Sequence, residues 1–108
     1  MDALKKPVIE YVGMRYIPSD SQESLRYLTD EYVLKVLKKI HDLAYLRVHV
    51  KAHQHAGGKI KYSMHIRANS SSITLEACEA SNYDITAVTH EAFRELLSQA
   101  DHRLKKTS

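Results

Sequence analysis

The chain has 108 residues, 44% of them hydrophobic and 27% charged, with a net charge of +3. That supports one domain with a core of its own and is too short for two. No apolar run reaches membrane-spanning length, the single cysteine Cys78 excludes an internal disulfide, and the N-terminus (MDALKKP) lacks the apolar stretch of a signal peptide, so a soluble cytoplasmic protein is expected.

Residues 7–15 (PVIEYVGMR) read as a short first strand, in which Gly13 marks a bulge or a close backbone approach. Tyr16-Ile17-Pro18 ends it. Ser19-Asp20-Ser21-Gln22-Glu23 opens a helix, with Ser19 or Asp20 as its cap and acids in the first turn to suit the dipole. The helix is expected to reach about Asp42. Leu25, Leu28, Tyr32, Val36, Ile40 and Leu43 recur at three- and four-residue steps and form its buried stripe. Tyr27 and Leu34 fall off that stripe. Lys35, Lys38, Lys39 and His41 gather near the helix end, where complementing the dipole is the plain account of them.

Three antiparallel strands follow, at residues 44–54 (AYLRVHVKAHQ), 59–69 (KIKYSMHIRAN) and 72–81 (SITLEACEAS). Each alternates apolar and polar residues, as a sheet with one dry and one wet face requires. Leu46, Val48, Val50, Ala52, Ile60, Tyr62, Met64, Ile66, Ala68, Ile73, Leu75 and Ala77 belong to the dry face. Parity then fixes the turns. The first pair of strands shares even numbers on that face, so opposed residues sum to an even number and the loop has odd length, most simply Ala56-Gly57-Gly58 with a glycine at positive φ. The second pair needs an odd sum, which a two-residue turn at Ser70-Ser71 supplies. In this register His49 faces His65, His65 faces Glu76, and Cys78 lies beside Ser63.

Asn82-Tyr83-Asp84 opens a second helix, capped by Asn82 or Asp84 and burying Ile85, Val88, Ala92, Leu96 and Ala100, with Phe93, Leu97 and Leu104 widening the stripe. The order is β-α-β-β-β-α. It defines an α+β fold, a four-stranded sheet with two helices packed on one face, as a single domain over residues 1–108. The first helix joins two adjacent parallel strands by a right-handed crossover.

Charge is unevenly spread. Residues 35–67 hold Lys35, Lys38, Lys39, Arg47, Lys51, Lys59, Lys61 and Arg67 against Asp42 alone, whereas residues 68–101 hold Glu76, Glu79, Asp84, Glu91, Glu95 and Asp101 against Arg94 alone. Such a split suits a surface that meets a polyanion. Long cations in a fixed layout bind phosphates without any catalytic constellation. The tail of the second helix joins the lysines of the first if the two helices pack antiparallel. Tyr27, Tyr45 and Tyr83 are candidates for stacking on bases. His49, His53 and His55 share a parity, and His65 and Glu76 stand alongside. An uncovered sheet face does not wrap ligands around an ion, and no HExxH or CxxC spacing occurs, so no metal or other cofactor is expected. These histidines are expected to charge in mild acid and add to polyanion attraction. Cys78 has no activating partner and no glycine-rich phosphate loop is present, so no enzyme activity is expected.

Element order and residue classes together resemble the ribosome hibernation-promoting factors, the family that includes ribosome-associated inhibitor A. The resemblance rests on Glu23-Ser24-Leu25-Arg26 opening the first helix, on the strand at 46–52 after that helix's basic end, and on the third strand of the triplet running through Tyr83-Asp84-Ile85 into a long helix with a basic tail. It spans roughly residues 8–106 and matches a short form without the C-terminal dimerisation domain of longer members. It implies a noncatalytic factor, monomeric off the ribosome, that binds the small ribosomal subunit and its rRNA near the decoding region, inhibits translation and preserves inactive ribosomes under stress. The RNA-binding residues expected on this reading are Arg26, Lys35, Lys38, Lys39, Arg47, Lys51, Lys61, Arg67, Arg103, Lys105 and Lys106. Glu31, Glu95 and Ser98 stand where the family is usually basic, which implies fewer phosphate contacts and a shallower salt dependence. Two alternatives are a protein-interaction module, using the first and last strands as open sheet edges, and a domain resembling the double-stranded RNA-binding fold. The latter wants lysines where Asn82-Tyr83-Asp84 stand.

Overall fold

Alternation in the middle of the chain folds as the sequence requires. The computed structural model describes residues 6–54 and 56–107, without the side chains of 78, 79 and 104–107. The elements run β1 (Val8–Val12), α1 (Ser19–Lys39), β2 (Leu43–Gln54), β3 (Ile60–Ser70), β4 (Thr74–Asn82) and α2 (Ile85–Thr107). They form one four-stranded sheet in the order β1-β2-β3-β4, with β1 parallel to β2 and the other neighbours antiparallel. Leu46, Val48, Val50, Tyr62, Met64, Ile66, Ala68, Leu75, Ala77 and Ala80 are buried on the face that the helices cover. This is the expected α+β architecture.

The first hairpin keeps its expected register. His49 opposes His65, and the connection at Ala56–Gly58 carries Gly57 and Gly58 at positive φ. The second hairpin departs from expectation. Arg67, not His65, opposes Glu76, and the turn is centred on Ser71-Ser72. The cause is local hydrogen bonding. The Ser70 hydroxyl accepts from the amides of Ser72 and Ile73 at 3.2 and 3.0 Å, and the Ser71 hydroxyl donates to Asp42 at 2.5 Å. Serine side chains thus hold the two-residue turn one position further along than expected. The register then shifts between Met64 and Ile66, where residues 78 and 79 stand against His65 alone. This bulge brings Ala80 inward and sets Ser81, not Cys78, opposite Ser63. The side chain of Cys78 lies outside the described residues.

Gly13 ends β1 three residues earlier than the apolar pattern suggests. Its φ is 89°, and a Cβ there would stand 2.0 Å from the Val50 carbonyl oxygen. The chain must come this close to β2 and then turn away through a 3-10 turn at Met14–Tyr16. Replacing Gly13 by alanine combines left-handed strain of about 1–2 kcal/mol with a clash against fixed backbone. Gly57 has similar φ but nothing within 4 Å of its Cβ position, so its alanine variant carries the strain alone. Thermal unfolding followed by circular dichroism should therefore show a clearly lower midpoint for Gly13→Ala than for Gly57→Ala.

Helix α1 begins at Ser19 with Pro18 in the capping position and no side-chain cap, contrary to the expected role of Ser19 or Asp20. Gln22 does the fastening instead, donating from Nε2 to the carbonyls of Met14 and Ile17 at 2.9 and 3.0 Å. The helix stops at Lys39, and Ile40 leaves the helical region. Asp84 caps α2 as expected, accepting from the Thr86 amide at 3.1 Å. Thr29, Val33 and Thr89 are buried additions to the helical stripes, and Leu28 is only half-buried. The Thr89 hydroxyl donates to the Ile85 carbonyl at 2.7 Å, which lets a polar residue sit inside. The tail of α2 does reach the lysines of α1, but not by the antiparallel packing expected. Tyr32 meets His90 and Phe93 while Lys39 meets Asp101, so the helices run side by side in the same direction. No helix among the described residues is long and apolar enough to cross a membrane.

Candidate nucleic-acid interface

Two layers give the molecule two broad outer faces, and the expected RNA-binding residues divide between them. On the helical layer, the C-terminal ends of α1 and α2 converge, so Lys38, Lys39, His41 and Arg103 form a basic corner. Lys39, His41 and Arg103 line a cleft of about 430 Å³ there together with Ile40, Asp42, Ser72 and Ile73. Lys39 is ion-paired with Asp101. Asp42 is held below the usual carboxylate range chiefly by the Ser71 hydroxyl, working against partial desolvation, so it stays an anion whose oxygens are already engaged. Lys35 lies over the ring of Tyr32, 5.1 Å from its centroid. Arg26 sits apart, stacked 4.9 Å from the ring centroid of Tyr11 at the β1 side. The side chains of Lys105 and Lys106 lie outside the described residues.

The wet face of the sheet carries the second group. One cross-strand row reads Glu10, Arg47, Arg67, Glu76. Two arginines directly opposed would repel, but each has a carboxylate on its outer side. Arg47 Nε donates to Glu10 at 3.1 Å, and Arg67 Nε lies 3.8 Å from Glu76. Tyr45 also donates to Glu10. The Tyr45 and Arg47 hydrogen bonds keep the Glu10 carboxyl below its ordinary pKa. This row is close to neutral as a whole, so Arg47 and Arg67 are partly spoken for.

Beyond it the rows change character. His49 opposes His65, Lys51 opposes Ser63 and His53 opposes Lys61. Lys51 and Lys61 have no carboxylate partner among the described residues, nor do Arg26, Lys35, Lys38 and Arg103. Lys59 and Lys61 approach the Tyr83 ring at 6.0 and 5.6 Å. Of the tyrosines considered for stacking, Tyr27 and Tyr83 are exposed and Tyr45 is half-buried and bound to Glu10. No set of three or more metal-ligating side chains is arranged to hold an ion among the described residues.

His49 is shifted downward from its ordinary pKa of 6.5, first by partial burial and then by Lys51, His65 and Arg47. Charging it therefore takes more acid than for a free imidazole. The unfolded chain then binds this proton more readily than the folded one, so stability falls as pH drops below about 6.5. The His49→Gln variant should lose less of its urea midpoint between pH 7.5 and pH 5.5 than the parent chain.

Strand alternation already put Arg47, Lys51, Lys61 and Arg67 on the outer sheet face, away from the helical lysines, but sequence reasoning missed the carboxylates that engage Arg47, Arg67 and Lys39. It also missed Arg15 and Tyr16, which border a cleft beside the end of β2. Unequal strand lengths after Gly13 were the available signal. Fold and surface together define an α+β domain with a basic helical corner on one side and a lysine- and histidine-bearing sheet on the other. No family model matches the chain, and no curated protein matches it.

Proposed function

We propose that this protein is a noncatalytic RNA-binding factor of the ribosome. It associates with the small subunit near the decoding region, inhibits translation and stabilises inactive ribosomes under stress, acting as a monomer in the cytoplasm. One observation carries this reading: a slab whose Cα trace measures 50 × 32 × 17 Å bears, on both of its broad faces, cations with no carboxylate partner among the described residues. Such a plate suits a cleft between two RNA walls, each supplying phosphates to one face. Arg26, Lys35, Lys38 and Arg103 serve one wall, and Lys51 and Lys61 the other. If each makes one phosphate contact, the logarithm of affinity falls with the logarithm of salt at a slope near −5. Affinity then drops roughly a thousandfold between 50 and 200 mM salt.

The experiment is co-sedimentation with purified small subunits at those two salt concentrations. Pelleting with subunits at low salt and release at high salt is the expected result. Absence from the pellet at low salt overturns the proposal. The double-stranded RNA reading is less well supported, because the start of α2 presents Asp84 in the place where phosphate-gripping lysines would stand.

A further inference from the structure

We infer that the exposed end of β2 is a seat for an extended acidic peptide of a partner protein, taken up as an added strand. β1 pairs with β2 only as far as Val12 opposite His49, yet β2 runs on to Gln54 and stays paired with β3 on its other side. Gly13 lies against the nitrogen and carbonyl of Val50, which places the Val50 polar groups on the β1 side. Strand geometry repeats every two residues, so the N–H and C=O groups of Ala52 and Gln54 point the same way. No hydrogen bond from another element reaches them among the described residues. Ala52 lines a cleft of about 770 Å³ that ends beside Gln54 and whose far wall is the turn through Met14, Arg15 and Tyr16.

The occupant's chemistry follows from the lining. Tyr11, Val12, Met14 and Ala52 supply apolar surface, Arg15 and Lys51 supply positive charge, His53 adds an imidazole, and no carboxylate lines the cleft among the described residues. Unpaired main-chain groups call for a strand. A nucleotide would leave this edge unmatched. The odd-numbered side chains of β2, Lys51 and His53, lie on the wet face, so the added strand places acids at alternate positions beside them and apolar residues between. The sequence pattern directs attention to β1 and β4 as edges. This seat is a third one, created because Gly13 turns the chain away before β2 ends.

The test titrates the full-length chain, isotopically labelled, with the peptide Glu-Val-Glu-Val-Glu-Val, its lysine-for-glutamate counterpart and a hexauridine oligonucleotide. Binding of the acidic peptide with slowed amide exchange at Ala52 and Gln54 is the expected outcome. Arg15→Glu combined with Lys51→Glu should weaken it at least about tenfold. Both side chains are exposed, and the milder Lys51→Gln provides a second variant if the double change lowers the melting midpoint. No binding at millimolar peptide, equal binding of the lysine peptide, or unchanged exchange at those amides overturns the inference. Slowing of the same amides by hexauridine in place of the peptide overturns it in favour of a nucleic-acid cleft. Ribosome co-sedimentation of the single Arg15→Glu variant separates this seat from the RNA reading, because Arg15 is not one of the cations that face RNA: lost peptide binding with intact pelleting is expected, and peptide binding unchanged by Arg15→Glu overturns the inference.

Discussion

Changing Lys35, Lys38 and Lys39 together to glutamate is expected to lower affinity for small ribosomal subunits by about a hundredfold or more. Lys35 and Lys38 present cations with no carboxylate partner among the described residues from the exposed flank of α1, and Lys39, ion-paired with Asp101, adds a third beside the end of α2. Reversal removes three phosphate attractions and introduces three repulsions at the same place. Folding should survive, because the affected side chains lie outside the core and an exposed pair such as Lys39 with Asp101 contributes little. The measurement is co-sedimentation at low salt, paired with a melting curve. Undiminished pelleting of a folded triple variant removes the helical corner from the binding surface. Reversing Lys51 and Lys61 in a second variant then asks whether the sheet face carries the contact instead.

The largest effect on stability is expected at Phe93. Its side chain is fully buried, and its ring stacks on Tyr32 with centroids 4.7 Å apart and planes 3° from parallel. Tyr32 in turn donates to or accepts from His90 Nδ1 at 2.6 Å, so one aromatic contact ties the two helices together over the sheet. Phe93→Ala removes that wedge and leaves a cavity, at a cost of about 3–5 kcal/mol. A domain this size has a total stability of roughly 5–15 kcal/mol, so the variant should lose about a third or more of it and unfold at a much lower urea concentration. Urea unfolding checks this. A midpoint within error of the parent would mean that the helix layer collapses around the missing ring without loss. Tyr32→Phe keeps the stack and removes only the hydroxyl, so it should cost far less than Phe93→Ala.

Much of this architecture was legible because alternation and helical spacing speak directly about burial. Leu46, Val48 and Val50 on one strand and Met64, Ile66 and Ala68 on the next fixed both the dry face and the first hairpin's register. What stayed hidden depended on small polar groups competing for backbone. Nothing in Ser70-Ser71-Ser72 says which serine will accept from which amide, yet that choice put Arg67 directly opposite Glu76 and left His65 a diagonal neighbour 3.6 Å from the same carboxylate. The three-residue step from Ala77 to Ala80 was a readable sign of the bulge. The candidate site was less legible than the fold. Alternation says which face each strand cation occupies but not whether a carboxylate will neutralise it. The carboxylates that engage Arg47 and Arg67 come from β1 and β4, distant in sequence and adjacent only once the sheet forms. The direction of α2 relative to α1 follows from strand count, and an odd step there turns antiparallel into parallel.

The irregularity in β4 bears on solubility. A strand at the margin of a sheet offers a ladder of unsatisfied main-chain groups to any other molecule, including its own copies. Two residues of β4 share one opposite them, which bends the strand and breaks the even spacing that stacking into fibres demands. Shortening β4 by one residue at that point would straighten this margin. It would leave Ala80 opposite Met64 and Ser81 opposite Ser63, facing as they do now, so the one new feature would be an evenly spaced template at this margin. The kink is therefore a safeguard against polymerisation, placed on one of the sheet's two outer margins.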